Sequence, residues 1–163
     1  MKKALVLWAA LVILLTAEFC NPGSSPLSPT GGSEITANDL KMTVSTTGQG
    51  TGGLTFLIEL KNEGTSTASL EFSTGQAFDI VVSNSGGDVV WTWSYDKAFT
   101  QAFWELDLKP GESYSMQAAW DLKANDGSQV QPGRYGVKAW MTNFYRNKFW
   151  HNPNLSVEFL LVI

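Results

Sequence analysis

Apolar and polar residues alternate in five segments of this 163-residue chain, and this pattern limits what the chain can fold into. The alternation is clear over residues 40–44, 54–60, 89–93, 135–139 and 155–161. A period of two places every second side chain on one face of a β-strand, whereas a helix needs apolar residues three and four apart. From Ile35 onward no stretch shows helical periodicity long enough to predict a helix. The body of the chain is therefore predicted to be built from strands.

Turn residues separate these alternating segments. Glycine, proline, asparagine and aspartate cluster between them, as in Asn84-Ser85-Gly86-Gly87-Asp88 and Pro132-Gly133. The predicted strands are residues 38–46, 54–61, 67–72, 77–83, 89–94, 103–108, 113–120, 134–142 and 155–162. Eight or nine short strands suit two packed sheets, so the predicted fold is an all-β, antiparallel immunoglobulin-like β-sandwich.

The aromatic segment Val89 to Phe103 is predicted to divide at Ser94. If Val89, Trp91 and Trp93 share one strand face, each tryptophan buries about 150–250 Å², and that face belongs in the core. The tip after Ser94 holds the charged residues Asp96 and Lys97, and charged side chains are costly to bury without partners. Val89 to Trp93 are thus expected to belong to the core and Tyr95 to Ala98 to form an exposed tip, with Phe99 fixing the end of the loop.

The N-terminus is typical of an export signal. Two lysines precede an apolar run from Ala4 to Ala17, which is shorter than the roughly 20 residues that span a bilayer. Residues 1–19 are predicted to be a signal peptide or membrane anchor, 20–33 a Pro/Gly/Ser-rich tether, and 34–163 the folded domain. The domain is expected outside the cytoplasmic membrane, as a membrane-anchored lipoprotein or a secreted protein.

Cys20 is the candidate lipidation site. It follows the apolar run at the position where bacterial lipoproteins carry their lipid-modified cysteine. Phe19 stands where the lipoprotein signal peptidase prefers a small residue. Cleavage after Ala17 and an uncleaved anchor are therefore the alternatives to lipidation at Cys20.

Composition excludes several classes of function. The net charge of −4 and the scattered eleven Lys and Arg residues argue against nucleic-acid binding. One cysteine and one histidine, His151, leave no disulfide, no cysteine metal knuckle and no histidine-rich metal site. No spacing forces two carboxylates onto one strand face, and Asp121 to Gly127 departs from a calcium loop because Lys123 takes a ligand position. We expect no enzyme activity, no metal and no cofactor.

Four short motifs occur in a specific order along the chain. They are Ser-x-Gly-Gln at 73–76, Trp-x-Trp-Ser at 91–94, Phe-Thr-Gln at 99–101 and Pro-Gly-Glu at 110–112. As an ordered set, over roughly Leu54 to Trp140, they resemble the BsuPI family of bacterial intracellular proteinase inhibitors. The resemblance implies an immunoglobulin-like sandwich and a protease as the partner.

These motifs also have structural interpretations. Gly75 and Gly111 suit turns that need a positive φ, and Pro110 presets the preceding turn position. Gln76, Thr100 and Gln101 are side chains able to bond backbone groups where strands end, closing one corner of the sandwich. The motifs are therefore expected to maintain the fold more than to act directly in function.

Two loops are candidate binding sites. The first is the exposed tip Tyr95, Asp96, Lys97 and Ala98, which as a rigid loop would enter a protease cleft as a substrate mimic. The second holds the aromatic and basic residues typical of binding hot spots. Its members are Phe144, Tyr145, Arg146, Phe149 and Trp150.

Three functions remain open at this point. The chain is either a tethered proteinase inhibitor, a non-inhibitory immunoglobulin-like module that binds an envelope protein or polysaccharide, or a structural domain of the cell envelope. Membrane contact is expected only through the N-terminal segment or a lipid on Cys20.

Overall fold

The computed structural model describes residues 31–48, 52–144 and 155–163. Within these ranges the chain forms ten β-strands and no helix. The strands are β1 Gly32–Ala37, β2 Leu40–Thr47, β3 Leu54–Asn62, β4 Ala68–Phe72, β5 Phe78–Ser83, β6 Val89–Thr92, β7 Trp104–Leu108, β8 Ser113–Trp120, β9 Arg134–Met141 and β10 Ser156–Val162. No described segment is therefore a helix long and apolar enough to cross a membrane.

The strands form two four-stranded sheets and one ribbon. The first sheet has the order β1-β2-β3-β8 and the second the order β10-β9-β5-β6, while β4 pairs with β7 in a two-stranded ribbon. Every pairing is antiparallel. The predicted all-β antiparallel sandwich is confirmed, with ten strands in place of the predicted eight or nine.

All nine predicted strands occur, and β1 is the additional one. It begins at Gly32, inside the range predicted as a tether, and pairs along its whole length with β2. Only Ile35 and Ala37 of this strand pack against the core, and both are partly buried. Such weak apolar alternation explains why the sequence pattern does not predict β1.

The core lies between the two sheets. On β3 the side chains of Leu54, Phe56, Ile58 and Leu60 are at most 2% exposed, in the predicted alternation. Ile80 and Val82 of β5, which belongs to the second sheet, are also buried and pack into the same core. Burial of apolar side chains from both sheets is the main stabilising term of such a sandwich.

A tyrosine fixes the start of β9. Tyr135 is 8% exposed, and its hydroxyl donates a hydrogen bond of 2.6 Å to the carbonyl oxygen of Gln131. A tyrosine that bonds the backbone a few residues upstream also occurs as the tyrosine corner of immunoglobulin-like sandwiches. It holds the Pro132-Gly133 turn against the body of the domain.

The prediction that Val89 belongs to the core is wrong. Val89 is 56% exposed, whereas Val90 and Trp91 are partly buried and pack against the core. The cause is a register shift: Ser83 pairs with Val89, but Val82 pairs with Trp91, which leaves Val90 as an extra residue. A bulge of this kind interrupts the two-residue alternation and turns Val89 outward.

Aromatic rings join the two sheets beside β6 and β8. The ring of Trp91 lies 5.9 Å from that of Phe56 and 5.3 Å from that of Trp120, in stacked arrangements. Phe56 and Trp120 belong to the first sheet and Trp91 to the second. The predicted inward orientation of Trp91 is therefore correct, and this stack packs the sheets together where β6 is short.

Candidate partner-binding site

A buried carboxylate holds the root of the first candidate loop. Asp79 on β5 is 7% exposed and accepts three hydrogen bonds. Ser94 provides two of them, one from its hydroxyl at 2.6 Å and one from its backbone N–H at 3.2 Å, and the backbone N–H of Ile80 provides the third at 2.8 Å. The serine of the Trp-x-Trp-Ser motif thus fixes where the chain leaves the sandwich.

The loop's tip is exposed, and it is folded into two tight turns. All four residues from Tyr95 to Ala98 are exposed, and the side chain of Tyr95 has 67% of its surface accessible. The N–H of Tyr95 donates to the carbonyl of Thr92, and that of Lys97 to the carbonyl of Ser94. Consecutive turn bonds of this type restrict the backbone of the tip.

Side chains restrict the tip further. The Lys97 ammonium lies 5.2 Å from the centre of the Trp93 ring and 3.1 Å from Asp96 Oδ1. The hydrogen bond from Lys97, together with its positive charge, lowers the pKa of the Asp96 carboxyl below its ordinary value. Tyr95 is therefore the tip side chain that projects without an intramolecular anchor of this kind.

Aromatic packing fixes both sides of the tip. Trp93 stacks on Phe78 with ring centres 4.2 Å apart and contacts Phe99 at 5.7 Å. Trp93 is partly buried and packs against the core, as predicted, and Phe99 is partly buried against the Trp93 ring. The entry and exit of the loop meet on one aromatic cluster.

A second exposed stretch follows Phe99. Residues 100–103 are exposed, and Phe103 reaches 68%. The carbonyl of Thr100 accepts a hydrogen bond of 2.9 Å from the N–H of Gly75. Exposed aromatic surface beside a fixed backbone is a feature of protein-binding sites.

Hydrogen bonds tie the motif at 73–76 to the strands around it. The Trp104 indole N–H donates to the carbonyl of Thr74, and the Thr142 hydroxyl donates to the carbonyl of Gln76. The Gln76 side chain donates to the carbonyl of Phe78. The expected bond from the Gln76 side chain to a backbone group at the start of a strand is thus observed, and these polar groups stabilise the fold next to the loop.

The two motif glycines have different roles. Gly111 has a φ of 80° in a turn closed by the N–H of Glu112 and the carbonyl of Lys109, as predicted for Pro110-Gly111. The prediction of a positive φ at Gly75 is wrong, since Gly75 is not among the residues with positive φ. A Cβ at Gly75 would lie 2.7 Å from Thr100 Oγ1, so close approach of the two motifs is what requires glycine there.

The second candidate loop lies mostly outside the described residues. Tyr145, Arg146, Phe149 and Trp150 fall in the range 145–154, as does His151, and Cys20 falls in the range 1–30. Phe144 is described and partly buried, and its N–H donates to the carbonyl of Glu71 at 2.8 Å. In the described residues, no three His, Cys, Asp or Glu side chains are grouped to hold a metal ion.

These features define a class of protein: a β-sandwich with a short exposed loop, held at its root by the buried Asp79 and at its sides by the partly buried rings of Trp93 and Phe99. A family model described as BsuPI, intracellular proteinase inhibitor, matches residues 40–144, which is well over half of the chain. The chain belongs to the BsuPI family.

Other comparisons add little to this assignment. No curated protein matches the chain. Among solved structures, the chain is similar to a CARDB domain of a Pyrococcus furiosus protein, solved in complex with di-metal ions. That match has 14% identity and a TM-score of 0.30 and covers 82% of this chain and 87% of the other. A match at this level supports no inference about ligands or partners.

Proposed function

We propose that this chain is a non-enzymatic proteinase inhibitor that presents the loop Tyr95–Ala98 to a protease. Membership of the proteinase-inhibitor family supports this function. The loop is assigned this role because its tip is exposed while its ends are fixed. Asp79 holds the root, and Trp93 and Phe99 pack beneath the tip.

Rigidity matters because an inhibitory loop must remain bound without being released as product. A loop already held in one conformation loses little conformational entropy when it binds. The Asp79 carboxylate and the aromatic cluster of Trp93 supply this restriction without a disulfide. The loop is thus held by noncovalent contacts and not by a covalent cross-link.

Tyr95 is the proposed residue that enters the side-chain pocket of the protease. It is 67% exposed, whereas Lys97 lies against Trp93 and is paired with Asp96. To enter a pocket, Lys97 would first have to give up both contacts. A protease with an apolar pocket that accepts aromatic side chains is therefore the expected target class.

Replacing Tyr95, Asp96 and Lys97 together by alanine is expected to abolish inhibition. The same change should lower the free energy of unfolding by no more than about 1 kcal/mol, because all three residues are exposed and the contact of Lys97 with the Trp93 ring lies on the surface. The full-length chain is titrated into two proteases, one with a pocket for aromatic side chains and one with a pocket for basic side chains, and the residual protease activity is measured. Urea unfolding of the same samples measures stability.

Tyr114 gives a matched control, since it is a partly exposed tyrosine on β8 in the other sheet. Tyr114→Ala should inhibit as wild type, whereas Tyr95→Ala alone should lose most of the inhibition. A folded triple variant that still inhibits would exclude the Tyr95–Ala98 loop as the site.

An immunoglobulin-like binding module of the cell envelope, without inhibitory activity, is the second candidate function. The two consecutive turns in the tip favour it, because a compact turn presents a surface and not an extended strand. Wild type that inhibits no protease of either class, but binds an envelope protein through Tyr95, would identify this function.

We also propose that the domain is exported and held outside the cytoplasmic membrane by a lipid on Cys20. Support comes from the apolar run before Cys20 and the Pro/Gly/Ser-rich segment after it. Cys20→Ser is expected to move the chain from the membrane fraction to the soluble fraction and to end incorporation of labelled fatty acid. Wild type that incorporates no label would disprove lipidation, while a soluble and secreted wild type would retain export alone.

A further inference from the structure

The ribbon of β4 and β7 carries an acidic outer face. The antiparallel register places Glu71 opposite Glu105, and Ser69 opposite Asp107. Residues directly opposite one another project from the same face, so three carboxylates share it. Among the described residues none of the three forms an ion pair, and Asp107 accepts a hydrogen bond from the Ser69 hydroxyl. Like charges directly opposite each other repel, so this face favours a bound cation.

Two aromatic rings border these carboxylates. Phe144 pairs with Glu71 through an isolated antiparallel bridge, and Phe103, just before β7, lines the same cleft as Glu71 and Glu105. Their ring centres lie 5.8 Å apart with an angle of 58° between the planes. Together with Trp104, Glu71 and Glu105 they line an open cleft of about 240 Å³. The cleft thus combines negative charge with aromatic walls.

One carboxylate oxygen in this cleft has unused hydrogen-bonding capacity. Glu71 Oε2 has less than 1 Å² of accessible surface, and no donor in the described part of the chain reaches it. A buried carboxylate oxygen without a donor is unfavourable. A ligand that brings N–H donors into the cleft would remove this deficit.

We propose that this acidic-aromatic cleft binds an arginine side chain of a protein partner. A guanidinium carries a positive charge, offers a planar fork of donors to carboxylates, and stacks on aromatic rings. Glu71 and Glu105 would accept the donors, and Phe103 and Phe144 would contact the plane. Lysine fits less well because its ammonium is more strongly hydrated and cannot stack.

The cleft and the Tyr95–Ala98 loop are formed by different residues. The carboxylates of the cleft belong to the ribbon, whereas the root of the loop is fixed by Asp79 on β5. The proposal therefore does not depend on inhibition, and the Tyr95 variant is expected to keep the cleft intact. A variant that loses protease inhibition but keeps arginine binding, or the reverse, distinguishes the loop from the cleft.

Calorimetric titration of the full-length chain with the capped peptide acetyl-(Gly-Arg)3-amide tests the proposal. The arginine peptide should bind about fivefold more tightly than its lysine counterpart, and the glutamine counterpart should not bind. The double substitution Glu71→Gln with Glu105→Gln should weaken binding at least about tenfold. Binding should also weaken as salt is raised, because the cleft is open to solvent.

A matched variant separates local recognition from net charge. Glu63→Gln with Glu158→Gln removes the same charge, from carboxylates that are paired with Lys61 and Lys138. It should bind the arginine peptide within about twofold of wild type. Equal losses in both double variants, or equal affinity for the arginine and lysine peptides, would overturn the proposal.

Two further outcomes are decisive. If wild type binds no peptide but Arg146→Gln does, the chain's own arginine is the occupant and the proposed partner is wrong. If the double variant fails to fold, Glu105→Gln alone, at an exposed residue, still tests the site, and its unchanged affinity would contradict the proposal. Thermal unfolding should show the Glu71→Gln with Glu105→Gln variant at least as stable as wild type, since it relieves like-charge repulsion.

Discussion

Replacing Trp120 by alanine is expected to lower the free energy of unfolding by about 3–5 kcal/mol, which is the range for large aromatic truncations in a core. Trp120 is 1% exposed, and its ring stacks on those of Phe56 and Trp91. Its indole N–H donates a hydrogen bond of 2.7 Å to the carbonyl of Lys123. The substitution therefore opens a cavity between the sheets and removes the donor for that carbonyl. Urea unfolding monitored by circular dichroism measures the loss.

Tyr114→Ala is the control for this experiment. Tyr114 lies on the same strand as Trp120, but it is 37% exposed, so its removal should cost less than about 1 kcal/mol. If Trp120→Ala cost as little as Tyr114→Ala, the stack between the sheets would not hold them together.

The alternating pattern was sufficient to predict the strands because burial follows it closely. On β3 and β9 every second residue is buried, and both strands were predicted within a residue of their observed ends. The pattern failed where burial is weak or the register changes. β1 buries no residue fully, and the bulge at Val90 reverses the orientation of Val89.

The candidate site was predictable only where its determinants are local. The polar run Tyr95 to Ala98 between two aromatic segments indicated an exposed tip, and these residues are exposed. The anchor at Asp79 was not predictable, since no local pattern pairs it with Ser94, fifteen residues away. The acidic face was missed for the same reason, because Glu71 and Glu105 meet only through the pairing of β4 with β7. The alternation of Phe103, Glu105 and Asp107 was the available signal.

The second large loss of stability is expected when the hydrogen bonds of Asp79 are removed. Asp79→Ala is expected to lower the free energy of unfolding by about 2–3 kcal/mol, because the Ser94 hydroxyl, the Ser94 N–H and the Ile80 N–H all lose a charged acceptor. Ser94→Ala removes one of these bonds and should cost about 1–2 kcal/mol. Urea unfolding of both variants beside wild type measures these losses.

Asp107 gives a matched comparison for Asp79, because its carboxylate also accepts a hydrogen bond from a serine hydroxyl across two strands, but on an exposed surface. Asp107→Ala should change the free energy of unfolding by less than about 0.5 kcal/mol.

The effect on the loop should differ in the same way. At a temperature where all variants are folded, Asp79→Ala should weaken any inhibition or binding through Tyr95, since the loop then leaves the sandwich from an unanchored residue. Asp107→Ala should leave that activity unchanged. If Asp79→Ala destabilises the domain but binds through Tyr95 as tightly as wild type, then the aromatic contacts of Trp93 and Phe99 alone fix the loop, and the carboxylate serves the fold.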